Sequence, residues 1–190
     1  RHLTIRGTGY LGLFGRLESA AKVEDLEVVD VNIVGSGIYM GGLVGYSTGS
    51  VTRCHTTGAV SGAWVGGLVG ENWGNIAASY SAGWLSGTDD VGGLVGSNFG
   101  RITTSYSTSA VYSDWGAGGL VGGNYERITT SYSTGAVAGY WDVGGLVGYN
   151  SGFKVTTSFW DAQTSGRKVS DGGTGKTTAE MQMAKTFLDA

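Results

Sequence analysis

Apolar positions along the middle of the chain recur neither every second residue nor at helical spacing, but about every 26 residues. Leu43, Leu68, Leu94, Leu120 and Leu146 form one column. Eight residues later (nine in the last copy) come Val51, Ile76, Ile102, Ile128 and Val155. Nine beyond those stand Val60, Leu85, Val111 and Val137, while Met40, Val65, Val91, Ala117 and Val143 form a fourth column. The columns sit in short β-rich segments separated by glycine-containing turns. This region lacks the i, i+3, i+4, i+7 apolar pattern of an amphipathic helix.

The columns are pinned to an unvarying motif. Gly-Gly-Leu-Val-Gly occurs five times, starting at Gly41, Gly66, Gly92, Gly118 and Gly144, with a degenerate copy at Leu11–Gly15. A coil of this length cannot bury its own apolar face, so repeats of it must stack. The predicted fold is all-β: a narrow, three-sided parallel β-solenoid of about six coils, spaced about 4.8 Å apart and about 30 Å long in all. The paired glycines permit positive φ at a tight corner and let neighbouring coils approach closely. Asn72, Asn98, Asn124 and Asn150 should hydrogen-bond along the axis as a ladder. Tyr80, Tyr106, Tyr132 and Phe159, headed by His55, should form one aromatic row, and Trp73, Phe99 and Tyr125 another.

The ends differ from the body. Residues 1–160 read as the solenoid, with 1–40 an irregular first coil containing the strand Leu3–Ile5 and the apolar positions Val23, Leu26, Val28 and Val31. Residues 161–190 read as a Gly/Ser loop followed by a capping helix. Its apolar stripe is Met181, Ala184 and Leu188, and Thr177 with Glu180 makes a capping box. That helix is expected to cover the open end of the last coil. The chain starts at Arg1 rather than Met, which reads as a processed or excised piece.

Glycine supplies 37 of the 190 residues and proline none, which with 41% hydrophobic residues excludes collagen and disordered linkers. A net charge of -3 gives no electrostatic case for nucleic acid, and no apolar run is long enough to span a membrane. The single cysteine, Cys54, falls in a column otherwise filled by Ser79, Ser105, Ser131 and Ser158, and reads as a small packing residue. Neither His55 nor His2 signals a metal or catalytic site. Gly172–Thr177 imitates a phosphate-binding loop, but Ser170 stands where that loop needs glycine and no buried strand precedes it. No catalytic, cofactor-binding or metal-binding residue is expected, no cofactor is implied, and the chain reads as not being an enzyme.

The repeated Gly-Gly-Leu-Val-Gly, the run Ile128–Val137, the Leu11–Gly15 opening and the tail from Phe159 to Met181 together resemble the GLUG-motif repeat proteins. That resemblance covers nearly the whole chain. It implies a bacterial cell-surface or extracellular location, beside filamentous-haemagglutinin-like adhesins and proteases that carry the repeats next to a separate catalytic domain. No such domain is recognisable in this sequence, so the resemblance implies an adhesin or scaffold segment. Two alternatives are a self-assembling filament subunit that associates through open coil ends and a glycan-binding module. Nucleic acid and membrane insertion are not expected. The segment just before each glycine motif varies most and collects aromatics and acids: Tyr39, Trp64, Asp89, Asp90, Asp114, Trp115, Tyr140, Trp141 and Asp142. These are expected to line one edge of the rod, on turns, as a candidate surface for a glycan or partner.

Overall fold

A computed structural model describes residues 3–188, the side chain of Leu188 excepted; Arg1 and His2 lie outside the described residues. The chain winds into a β-solenoid of about six turns, and every named strand pair is parallel. One sheet, the motif face, stacks Phe14–Leu17, Val44–Ser47, Val69–Asn72, Val95–Asn98, Val121–Asn124 and Val147–Asn150 in chain order. A short face stacks Lys22–Glu24, Ser50–Thr52, Asn75–Ala77, Arg101–Thr103, Ile128–Thr129 and Val155–Thr156. The remaining strands form a long face, with Glu27–Gly35, His55–Gly62, Tyr80–Gly87, Ala110–Gly118 and Val137–Gly144 at its centre.

The sequence columns are the interior ladders. Ile76 lies between Val51 and Ile102, and Leu85 between Val60 and Val111. All five motif leucines are fully buried, each burial contributing about 1.5–3 kcal/mol. A fifth ladder escapes an alternating pattern: Val44, Val69, Val95, Val121 and Val147 are buried directly after the leucines. At that corner one carbonyl serves two donors, the Leu68 oxygen accepting from the amides of both Leu43 and Val44. The resulting bend turns two successive side chains inward, where regular pleating would send one to solvent.

The motif glycines allow close approach, and the positive φ they permit is not used. A Cβ on Gly67 would strike the Gly93 carbonyl and the Ser81 side chain, so lack of space selects glycine there. The left-handed corner lies elsewhere and is made by other residue types. Asp25, Arg53, Ala78, Thr104, Thr130 and Thr157, one per coil, have φ between 50 and 55°. In the coils of Ala78, Thr104, Thr130 and Thr157 the next residue is a serine that fastens the corner: Ser105 Oγ donates to the Thr103 carbonyl and accepts the Ser79 amide one coil away. Cys54 takes this position in its own coil, buried, with its thiol donating to the Thr52 carbonyl.

The first coil closes earlier than the predicted span to residue 40. Leu3–Gly7 pairs with Glu27–Gly35, and Lys22–Glu24 already completes the turn. Val28 and Val31 therefore belong to the second coil, where the register shifts between them and Asp30 adopts φ 59°. The tail also differs. It forms two short helices, α1 (Thr178–Met181) and α2 (Ala184–Leu188), although the Thr177–Glu180 capping box is present. Ala184 is exposed and Met181 only partly covered, so the expected stripe does not seal the core. The loop at residues 162–173 covers the last coil instead. Ser170 Oγ accepts the Leu146 and Val147 amides, and the Val169 carbonyl accepts that of Gly145.

Candidate binding edge

The coil register decides which of the nine candidate residues meet. Tyr39 pairs with Trp64, and Trp115 pairs with Trp141. Val65 and Ala117 both pair with Val91, which places Trp64 one residue before that position and Trp115 two residues before it. The aromatics therefore occupy two neighbouring columns at opposite ends of the rod, with the Asp89–Asp90 coil between them. The expectation of turns holds for Asp89 and Asp90 but not for Tyr39 and Trp64, which open the strands Tyr39–Gly41 and Trp64–Gly66, nor for the last two coils. There Ala110–Gly118 and Val137–Gly144 are continuous strands that carry Asp114, Trp115, Tyr140, Trp141 and Asp142. These strands are still kinked, with Gly116 at φ 67° and Asp142 at φ 50°, while pairing of Trp115 with Trp141 holds the two coils in register.

The carboxyl-terminal cluster is the more open of the two. Trp115 and Trp141 stack at 5.4 Å with 16° between planes and remain 54% and 60% exposed. Beside them Tyr112 and Tyr140 meet edge to face at 6.3 Å, and the Tyr112 hydroxyl donates to Asp114 Oδ1 at 3.2 Å. At the other end Tyr39 stacks on Tyr10 at 5.8 Å and tilts against Trp64 at 5.8 Å. Those rings are better covered. The Tyr39 hydroxyl is pushed well above its ordinary pKa, first by burial and then by its hydrogen bond to Glu71.

Asp90 is part-buried and packs against neighbouring strands rather than standing free at the edge. It accepts a 2.8 Å hydrogen bond from Ser97 Oγ and occupies a niche left open by Gly116 and Gly123, where added Cβ atoms would meet its carboxylate. Burial pushes its pKa up to about 6; the Ser97 bond opposes this, while Asp89, Asp142 and Glu71 add to it. Glu71 is itself 5% exposed and accepts the Trp73 indole N–H. Sequence reasoning places Asp90 on the open edge and does not single out Glu71. The available signal was an acid at Glu71 in the column shared with Tyr46, Ser97, Gly123 and Tyr149.

The other two rows stack along the axis. His55, Tyr80, Tyr106 and Tyr132 follow one another at 4.4–4.9 Å, and Trp73, Phe99 and Tyr125 at 4.4 Å. Phe187 of α2 packs against both Tyr132 and Phe159 and closes the first row. The asparagine ladder forms as expected: each side-chain amide donates to the next carboxamide oxygen at 2.8–2.9 Å. Among the described residues no three His, Cys, Asp or Glu side chains are grouped to hold a metal ion. No helix among them is long and apolar enough to cross a membrane.

No protein-family model matches this chain. No curated protein matches it either. Among solved structures it is similar to one titled "IgA1 Protease", with a TM-score of 0.59 and 23% identity, covering 85% of this chain and 17% of that one. At that identity the likeness shows the fold. It also overturns the sequence-based expectation that the chain is not an enzyme, because a solenoid of this kind lies inside a polypeptide named as a protease. The repeats therefore do not set the chain apart from enzymes.

Proposed function

We propose that this chain is a GLUG-type β-solenoid segment of an extracellular or cell-surface polypeptide, and that it holds an exposed aromatic edge for recognition of a surface glycan. The observation that carries this reading is the stacked, half-exposed Trp115–Trp141 pair flanked by Tyr112, Tyr140 and Asp114. Aromatic faces suit the C–H faces of sugar rings, and nearby carboxylates accept hydrogen bonds from hydroxyls. Paired strands fix the spacing of the rings, so little conformational freedom is lost when a ligand lies across them. On a glycan array the wild-type protein should be retained, and a Trp115→Ala, Trp141→Ala double variant should fold normally yet lose that retention. Equal retention of the double variant, or none by the wild type, would remove glycan recognition from this edge.

A second reading is favoured by the likeness to a protein named for cleaving IgA1, of which the matched part is 17%. In that reading the solenoid is a positioning segment of a larger protease. The same edge would then engage the macromolecular substrate, and the double variant would bind that substrate more weakly while cleaving a short peptide at an unchanged rate.

A further inference from the structure

At the carboxyl-terminal end of the long face, α1 and α2 dock on the coil wall through Thr178 and through Phe187, whose ring meets Tyr132 at 5.6 Å, and beside these contacts lies a cavity of about 560 Å³. The repeat builds one wall: Thr108 and Thr134 come from successive coils, and Tyr132 belongs to the stacked aromatic row. The tail builds the other with Phe187 and Met181. Asp161 stands at the base. It is 2% exposed, and its Oδ1 accepts from the amides of Gln163 and Thr164 and from the Thr178 hydroxyl at 2.9–3.1 Å. Thr164 also lines the cavity.

The chemistry of this lining is selective. Among the described residues no lysine, arginine or histidine lines the cavity, and its one acidic side chain is a carboxylate, so a phosphate, sulfate or carboxylate ligand would meet no counter-charge from that lining. That carboxylate is already braced by three donors, which reduces its demand for a cation. What remains is a set of threonine hydroxyls at coil spacing, a fixed acceptor and two aromatic rings. Its volume lies within the roughly 300–1,000 Å³ of small-molecule sites. We propose that this cavity is a binding site for a short uncharged saccharide, one or two rings in size. Tyr132 and Phe187 would pack against a ring face, Asp161 would accept a sugar hydroxyl, and Thr108 and Thr134 would bind hydroxyls at either end. The site shares no residue with the Trp115–Trp141 edge and does not rest on the reading given to that edge.

The test is saturation-transfer NMR followed by calorimetry on the whole chain, with cellobiose, lactose, maltose and diacetylchitobiose as neutral probes. Sialyllactose and phenyltrimethylammonium serve as the anionic and cationic probes. At least one neutral disaccharide should bind, and its affinity should fall about tenfold or more in Thr134→Val and in Phe187→Ala, corresponding to about 1.4 kcal/mol. Thr134→Val keeps the side-chain shape and should leave melting unchanged, so the result does not depend on how the tail tolerates Phe187→Ala. The Trp115→Ala, Trp141→Ala variant should bind the disaccharide as the wild type does. The proposal is overturned if no neutral disaccharide binds, or if Thr134→Val binds as tightly as wild type. It is equally overturned if the edge variant abolishes binding, or if either charged probe binds in preference to the sugars.

Discussion

Thr104, Thr130 and Thr157 hold a left-handed backbone that β-branched residues rarely adopt, at a cost of about 1–2 kcal/mol each. The corner keeps that conformation because the next serine bonds both its own strand and the neighbouring coil. Asparagine tolerates left-handed φ more readily, so Thr104→Asn should raise stability by up to about 1 kcal/mol, read as a higher melting temperature. A lower melting temperature would mean that the threonine methyl contributes packing that outweighs the strain. Asp90 supplies the second residue-scale prediction. Its pKa is about 6 in the fold against 3.8 ordinarily, so between those values the folded state holds the extra proton. Stability must then fall as pH rises from about 4 to about 6 and level off above. Asp90→Asn should keep the Ser97 hydrogen bond, flatten that slope and raise the melting temperature at pH 7. An unchanged slope would assign the proton to another group. These single residues show where sequence reading stops. The asparagine ladder was legible because the same residue recurs at one position in four coils. Asp90 was not, because its niche depends on Gly116 and Gly123, which only the coil register brings beside it.

At the scale of elements, repetition again separates what was legible from what was not. The ladders of leucine, isoleucine and valine were visible as columns, and burial confirms them. The valine after each motif leucine was hidden by the rule of alternation, which a sharp corner breaks. The motif glycines permit positive φ on general grounds, whereas the structure uses them for close backbone approach. The tail is helical with its Thr177–Glu180 capping box, as the sequence predicts, but it splits into two short helices and tertiary hydrogen bonds place the preceding loop over the last motif strand. Ser170 is central to that cover, since its hydroxyl accepts two amides of the last motif strand. Ser170→Ala should cost about 1–3 kcal/mol and speed hydrogen exchange at Leu146 and Val147, while the Leu94 amide stays protected. Uniform acceleration through every coil would show instead that the rod unfolds as one unit. At the other end Leu3–Gly7, Phe14–Leu17 and Lys22–Glu24 each form the last strand of their sheets. Charged side chains at Arg16, Glu18, Lys22 and Glu24 mark that rim, a known means of discouraging unwanted strand pairing.

For the whole molecule, stability comes from the interfaces between adjacent coils, and both proposed binding sites lie toward the carboxyl-terminal end of the rod. The Trp115–Trp141 edge depends on residues that depart from the repeat consensus, whereas the tail cavity sets repeat residues Thr108, Tyr132 and Thr134 against the tail. Fold class was therefore readable from the sequence, whereas site geometry required the register and the path of the tail. In a stacked array each coil touches only its neighbours, so one whole period is removable in principle. Deleting Gly92–Ala117 joins Val91 to Gly118 and keeps every ladder in register, whereas deleting half a period would bring apolar columns against corners. The most direct measurement is small-angle scattering with thermal unfolding on that one-period deletion. The account predicts a cooperatively folded protein, shorter along its axis by about 4.8 Å, while a half-period deletion fails to fold. An unfolded one-period deletion, or two deletions that behave alike, would contradict the stacked-coil register from which the sites are derived.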